Sequence, residues 1–138
     1  MPPHRHWITG VAAALLAGGA SAAELRVEVT GLRSTRGNLL VAVCTPETFT
    51  RRGCPHVAVA PAAEGGATVT GIPPGVWAVQ VIHDEDGNGT LTRTGFLPDE
   101  GVGFSRDAPM RMGPPRFADA AVELKDSGRI SIAMRYFR

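Results

Sequence analysis

Alternating apolar and polar residues dominate the chain after residue 22 and predict short β-strands. Residues 25–29, LRVEV, alternate in this way, and a period of two is typical of a strand with one buried face. The pattern recurs over residues 67–72, 119–125 and 129–137. Apolar residues are less interrupted over residues 38–44 and 76–83, which predicts more deeply buried strands, and residues 57–60 are a candidate short strand.

Turn-forming residues separate these stretches and set the fold class. The chain has 138 residues with 17 glycines and 11 prolines, and no segment shows the helical period. We therefore expect an all-β fold, a single antiparallel β-sandwich of about seven strands. The last two strands are expected to form a hairpin around Asp126-Ser127-Gly128.

The segment at about residues 84–118 departs from this pattern. It is rich in glycine, proline and charged residues and has little hydrophobic periodicity, so we expect a long loop within one domain of residues 23–138. Gly101–Phe104 is expected to be a bend in it, with Phe104 and Phe117 anchoring the loop to the sandwich. Long loops on a rigid scaffold often carry function.

Residues 1–22 have the composition of a secretory signal peptide. Arg5 precedes an apolar run at 7–17, and Ala20-Ser21-Ala22 fits an A-x-A cleavage site. The alternative is an uncleaved membrane anchor, for which the run is short. No later apolar run is long enough to span a bilayer, so we expect a periplasmic or secreted protein without a transmembrane segment after cleavage.

Export changes the interpretation of the two cysteines, Cys44 and Cys54. In an oxidising compartment an even pair indicates a disulfide, and the residues between them are polar and turn-rich. The alternative is a reactive thiol, but the spacing is not C-x-x-C and no histidine stands in a partner motif.

Charge and composition narrow the function classes. The formal net charge is +1 and aromatic residues make up 6% of the chain, which argues against a nucleic-acid partner. His83 with Ser105 and Ser127 could be imagined as a hydrolase triad, but no G-x-S-x-G motif is present. We therefore expect a protein that is not an enzyme.

The most specific local feature is the acidic stretch that begins at His83-Asp84-Glu85-Asp86. Asp84, Asp86 and Asn88 are spaced like ligands 1, 3 and 5 of a calcium loop, and Thr90 would supply its carbonyl oxygen. Alternate residues of a tight loop can direct their oxygens to one point, as a hard cation requires. The spacing predicts Ca²⁺ as the cofactor.

The match to a calcium loop is incomplete, which leaves a second interpretation open. Thr92 and Gly95 stand where a loop of this kind has further ligands, and the bidentate glutamate is missing. The alternative is a structural turn in which the Asp and Asn side chains accept hydrogen bonds from their own backbone.

Ordered motifs along the chain resemble the bacterial exported family known as domain of unknown function 2141. They cover roughly Leu25 to Arg135 and comprise 71–78 (GIPPGVWA), 81–89 (VIHDEDGNG), 101–105 (GVGFS) and 113–120 (GPPRFADA). The resemblance implies a transthyretin-like or immunoglobulin-like β-sandwich and no established catalytic residues. Where the family commonly has H-D-x-N-x-N-G-x-L-D, this chain has Asp86 for the first asparagine and Thr92 for the final aspartate.

Together these observations predict an exported binding or accessory protein, stabilised by a hard cation at the Asp84–Thr90 loop. The alternative is a protein–protein interaction module of the cell envelope, with a purely structural acidic turn and an envelope protein as its partner. A contiguous apolar surface would favour the second, and a calcium-dependent melting temperature the first.

Overall fold

The computed structural model describes residues 22–89, 93–94 and 97–138 of the chain. The predicted signal peptide lies outside these residues except for Ala22, and so does Thr90. Ten strands account for about half of the described residues: β1 Ala23–Thr30, β2 Asn38–Cys44, β3 His56–Pro61, β4 Gly66–Ile72, β5 Gly75–Asp84, β6 Arg93–Thr94, β7 Leu97–Pro98, β8 Gly101–Phe104, β9 Val122–Leu124 and β10 Gly128–Ala133.

Within the described residues, helical structure is confined to short segments. One α-helix, α1, spans Phe117–Ala120, and 3-10 turns span Ala62–Glu64 and Ser105–Asp107. No helix among the described residues is long and apolar enough to cross a membrane. The predicted all-β class is confirmed.

The smaller sheet has the strand order β10-β1-β4. β1 runs antiparallel to β4, with Val27 beside Ala67. On its other side β1 runs parallel to β10, with Val27 beside Ile130. The sandwich is therefore antiparallel except at this one pair, which the alternation pattern alone could not reveal.

The larger sheet has the order β3-β2-β5-β8, with all neighbours antiparallel, and β9 pairs with the first three residues of β5. β6 and β7 form a separate two-stranded pair. β5 is the longest strand of the sheet and has the apolar sequence predicted for the most buried strand. It ends at Asp84, where the acidic turn begins.

The main core fills the space between the two sheets. Inward-facing aliphatic side chains of both sheets are at most a tenth exposed, and alternation along each strand aligns them on one face. The larger members are Leu25, Val27, Leu39, Val41, Val43, Val69, Ile72, Val79, Val81 and Ile132.

A second apolar cluster lies on the opposite, outer face of the large sheet. Phe49 packs edge-on against Phe104 and Phe117, with ring centroids 5.8 and 6.2 Å apart. Phe49 belongs to the loop that Cys44 and Cys54 close, and their Sγ atoms are 2.10 Å apart. The predicted cysteine pairing is confirmed, and Phe117 packs on the sheet as predicted, whereas Phe104 is itself a residue of strand β8.

The predicted hairpin around Asp126-Ser127-Gly128 is wrong. β9 pairs with β5 of the large sheet and β10 pairs with β1 of the small sheet, so the turn carries the chain from one sheet to the other. The backbone N–H of Glu24 donates to Ser127 Oγ at 3.0 Å, which ties this crossover to the start of β1. Alternation identifies the buried face of a strand but not its neighbour.

The segment at 84–118, expected to be a long loop, contains a strand that the sequence pattern did not predict. Gly101–Phe104, expected as a bend, is β8, and all four residues are buried. Its two glycines face the C-terminal segment, and a Cβ built at Gly103 would lie 2.6 Å from Ile132 Cγ2. Because glycine occupies the inner face for close packing, the strand shows no apolar alternation.

Candidate functional site

The acidic turn is closed by its own backbone. Asp84 is 1% exposed at the end of β5. Its Oδ1 accepts the backbone N–H of Asn88 at 3.1 Å, and its Oδ2 accepts that of Gly89 at 2.7 Å. Gly87 and Gly89 both have positive φ, which glycine adopts without steric strain. Both carboxylate oxygens of Asp84 thus hold the turn.

The other predicted metal ligands also make contacts within the turn. Asp86 Oδ1 lies 3.2 Å from the Asn88 backbone N–H, and Asn88 Nδ2 donates to Asp86 Oδ2 at 3.3 Å. Among residues 22–89 and 98–138, no group of three or more His, Cys, Asp or Glu side chains is arranged to hold a metal ion. The structure brings Asp84, Asp86 and Asn88 together as a turn; Thr90 lies outside the described residues.

His83 belongs to a buried network on the inner side of β5. Its Nε2 lies 2.8 Å from the Arg36 carbonyl oxygen, which can only accept, so Nε2 carries a proton. Its Nδ1 lies 2.7 Å from Tyr136 Oη. Burial raises the pKa of Tyr136, and its hydroxyl also accepts the backbone N–H of Arg33 at 3.3 Å. These bonds fix the imidazole as a structural link.

A charged cluster lies beside this histidine. Glu85 accepts hydrogen bonds from Arg33 Nε at 2.6 Å, Ser34 Oγ at 2.8 Å and Arg36 Nη2 at 3.2 Å. The Arg33 contact is the main cause that lowers the pKa of Glu85 to about 2. The Arg33 guanidinium also stacks over the Tyr136 ring, 4.6 Å from its centroid. The cluster joins the turn after β1 to the end of β5.

The imagined hydrolase arrangement is not assembled. Ser105 Oγ accepts the Val79 backbone N–H at 2.9 Å and donates to the Ala120 carbonyl at 2.5 Å. Val79 lies four residues before His83 on the same strand, which is roughly 13 Å along it. Among the described residues every buried side-chain nitrogen or oxygen has a hydrogen-bond partner.

The outer face of the large sheet presents apolar rows that the sequence patterns did not predict. The strand register places Val59, Leu40, Ile82 and Val102 side by side across β3, β2, β5 and β8. The next row contains Val57, Ala42, Gln80 and Phe104. The β8 end of these rows is covered by the second apolar cluster, whereas the β3 end is exposed.

Two adjoining hollows lie over these rows. The larger, about 370 Å³, is lined by Leu40, Val59 and Ile82, and by Gly87 and Gly89 of the acidic turn. A smaller hollow of about 130 Å³ adjoins it, since Gln80 and Ile82 line both. The acidic turn therefore forms one wall of an apolar depression.

Strand β3 is the exposed edge of this surface. Val57 and Val59 are 65% and 64% exposed. Among the described residues β3 pairs with β2 alone. The exposure of Val57 and Val59 was not predicted, because a short apolar run resembles a core strand. The signal that could have found them is that residues 38–44 and 56–61 are both almost wholly uncharged and apolar, so that both faces of two neighbouring strands are apolar.

The fold and these surfaces define the class of protein: a two-sheet β-sandwich whose large sheet has, in the part that the structure describes, an apolar outer face and an edge strand, β3, with exposed valines. A family model matches residues 27–132, and the chain belongs to this family, DUF2141, described as an uncharacterized protein conserved in bacteria. The resemblance drawn from the sequence motifs is thereby confirmed. No curated protein and no solved structure matches the chain.

Proposed function

We propose that this protein is an exported, non-enzymatic interaction module of the bacterial envelope, and that it binds a protein partner on the outer face of its large sheet. The observation that carries the proposal is the apolar row of Val59, Leu40 and Ile82, which ends at an exposed, uncharged edge strand. Contiguous exposed apolar surface of this kind marks interaction sites.

The disulfide supports export. Cys44 and Cys54 are bonded, and disulfides persist in the periplasm and outside the cell. The bond closes the loop that carries Phe49, so it also shapes the boundary of the outer face.

Two features support an interaction role over catalysis or cation binding. The buried polar side chains His83, Asp84 and Ser105 are all engaged in hydrogen bonds that hold strands or turns. The oxygens of Asp84 accept backbone N–H groups, the role expected of a structural turn. In this proposal the acidic turn shapes the wall of the apolar hollow.

Photo-crosslinking in living cells tests the proposal. A photoreactive phenylalanine analogue replaces Leu40, which lines the hollow, in the full chain expressed in its bacterial host. The matched control carries the analogue at Val76, which is 55% exposed and lies outside that hollow. We expect one discrete adduct with a second envelope protein from position 40 and none from position 76. The proposal fails if position 40 yields no adduct or the same adducts as position 76.

A further inference from the structure

Strand β3 lacks the features that normally protect a sheet edge. Its sequence, HVAVAP, contains no acidic residue, lysine or arginine, and its register with β2 is unbroken over all six residues. Edge strands of monomeric proteins usually carry a charge, a bulge or a proline that prevents further pairing. The prolines here, Pro55 and Pro61, stand just before the strand and at its last residue.

The sheet edges formed by β4, β8 and β10 carry features that limit further pairing. β8 is bridged to the C-terminal segment between Val102 and Arg135. β10 is capped where the backbone N–H of Ala133 donates to Asp107 Oδ1 at 3.0 Å. The ladder of β4 with β1 contains a register shift. β3 is therefore the edge best suited to accept another strand.

We propose that β3 pairs antiparallel with β3 of a second copy of this chain, about a two-fold axis through Ala58. This inference rests on the proposed function and deepens it, because it names one occupant of the exposed edge. A two-fold interface uses the same surface on both copies, so the strand must complement itself.

The two prolines define the register of this pairing. Directly opposed residues of antiparallel strands point to the same face, so a two-fold axis must pass through a residue position. An axis through Ala58, midway between Pro55 and Pro61, pairs residues 56–60 and leaves both prolines outside the ladder. Axes through residue 57 or residue 59 would place a proline in the ladder, where it has no N–H to donate.

This register is self-complementary for the exposed valines. Val57 of one copy lies opposite Val59 of the other, and the second valine pair follows by symmetry. Opposed β-branched residues on one sheet face stabilise strand pairing. The pairing buries the side chains that are 65% and 64% exposed in the single chain.

Charges at the ends of β3 are complementary in the same arrangement. Arg51 and Arg52 precede the strand and Glu64 follows it, and all three side chains are exposed. None of the three takes part in an ion pair within the described residues. The two-fold brings the arginines of one copy to the end of the strand where Glu64 of the other copy lies, and this occurs twice.

The proposed pairing also enlarges the surface assigned to the partner protein. The axis stands perpendicular to the sheet, so the outer faces of both copies point the same way. The rows that end at Val57 and Val59 then continue into those of the second copy, and the two hollows lie on one continuous sheet.

Sedimentation equilibrium of the purified chain, expressed whole with its own N-terminal segment, tests the inference. The small interface predicts a dissociation constant on the order of 10 µM. Val59→Lys places a charge in the apolar ladder and weakens the dimer about a hundredfold. The matched control is Val76→Lys, which leaves the dimer unchanged. A wild-type chain that stays monomeric to about 500 µM, or that loses its dimer equally in both variants, overturns the inference.

A charge exchange tests whether the partner is a second copy. Glu64→Arg alone, and Arg51→Glu with Arg52→Glu, each weaken the dimer about tenfold through like-charge contacts at both ends. The two variants mixed in equal amounts associate with each other at the wild-type strength. If the mixture associates no better than either variant alone, the pairing of Arg51 and Arg52 with Glu64 is wrong.

Cysteine pairing tests the register and separates this inference from the proposed function. A mixture of Val57→Cys and Val59→Cys chains forms an oxidised mixed dimer, whereas either variant alone does not. Cross-linking from Leu40 reports on the partner protein independently. A monomeric chain with a Leu40 adduct overturns the second copy alone, and a β3 dimer without that adduct overturns the proposed function alone.

Discussion

The two edges of the large sheet, β8 and β3, differ in whether another described segment of the chain pairs with them. β8 at one edge is buried on both faces and bridged by the C-terminal segment at Arg135. β3 at the other edge pairs with β2 alone among the described residues and exposes Val57 and Val59. Both strands are short and nearly uncharged, so composition does not explain the difference. What differs is that, within the described residues, the C-terminal segment pairs with β8 whereas no strand pairs with the free side of β3.

The comparison indicates where stability and interaction reside. The β8 edge holds glycines against Ile132 and Tyr136 and lies next to the hydrogen-bonded network of His83. Substitutions there should change the free energy of unfolding. Substitutions of Val57 and Val59 in β3 should leave the free energy of unfolding unchanged and alter association, because these two side chains are exposed in the single chain.

The largest expected loss of unfolding free energy follows from Gly103→Val, which disrupts the packing of β8. The new side chain would overlap Ile132 Cγ2, which lies 2.6 Å from the position of its Cβ, and overpacking of a core costs roughly 3 kcal/mol or more. Urea unfolding measures this loss. The control is Gly128→Ala, whose Cβ would lie 3.6 Å from Leu124 Cδ1. A Gly103→Val variant as stable as the Gly128→Ala variant would contradict the packing of β8.

A smaller loss of unfolding free energy is expected from Glu85→Gln, which removes the charge at the centre of the cluster with Arg33 and Arg36. The pKa of Glu85 is lowered to about 2 from 4.5. Folding therefore favours the ionised carboxylate, and its contribution is full above pH 4.5 and is lost as the pH falls towards 2. We expect a loss of about 1–2 kcal/mol at neutral pH.

Urea unfolding of both proteins as a function of pH measures this loss. The difference between wild type and Glu85→Gln should narrow as the pH falls below 4.5. A difference that stays constant down to pH 3 would show that the Glu85 carboxylate contributes through something other than its charge.

Asp84→Asn should cost about 1–2 kcal/mol, because an amide offers one acceptor where the Asn88 and Gly89 N–H groups require two. The same experiment tests the calcium prediction. After EDTA treatment, millimolar Ca²⁺ should leave the melting temperature of wild type and variant unchanged. A calcium-dependent rise of several degrees in wild type alone would make Asp84, Asp86 and Asn88 a cation site and contradict the structural turn.

The smallest effect on the free energy of unfolding is expected at strand β3. Val57→Thr with Val59→Thr keeps β-branched side chains but removes their apolar surface, and should change the unfolding free energy by less than about 0.5 kcal/mol. The measurement is urea unfolding at low protein concentration, where the chain is monomeric. A loss as large as that of Gly103→Val would show that β3 is covered within the single chain.

Much of this architecture was predictable from the sequence. Alternation located β1, β4, β9 and β10, and continuous apolar runs located β2 and β5. Cys44 and Cys54 were predicted to pair because of their context. These features depend on local patterns, and burial of one face imposes such patterns on any half-buried strand.

The missing parts depend on contacts distant in sequence. Strand β8 was not predicted, because glycines occupy the positions where Tyr136 and Ile132 approach. The turn at Asp126–Gly128 was interpreted as a hairpin although it joins two sheets. The calcium-like spacing of the acidic loop predicted that Asp84, Asp86 and Asn88 converge, and the binding of Ca²⁺ there stays a prediction. Asx turns and calcium loops both place oxygens on alternate residues.

Hydrogen–deuterium exchange at two protein concentrations, about 5 µM and about 500 µM, tests the difference between the edges most directly. We expect the amides of β3 that point away from β2 to exchange quickly in the dilute sample and to become protected in the concentrated one. The amides of β8 should be protected in both. Exchange in β3 that is independent of protein concentration, or a concentration effect confined to β8, would contradict the proposal that the chain associates through β3.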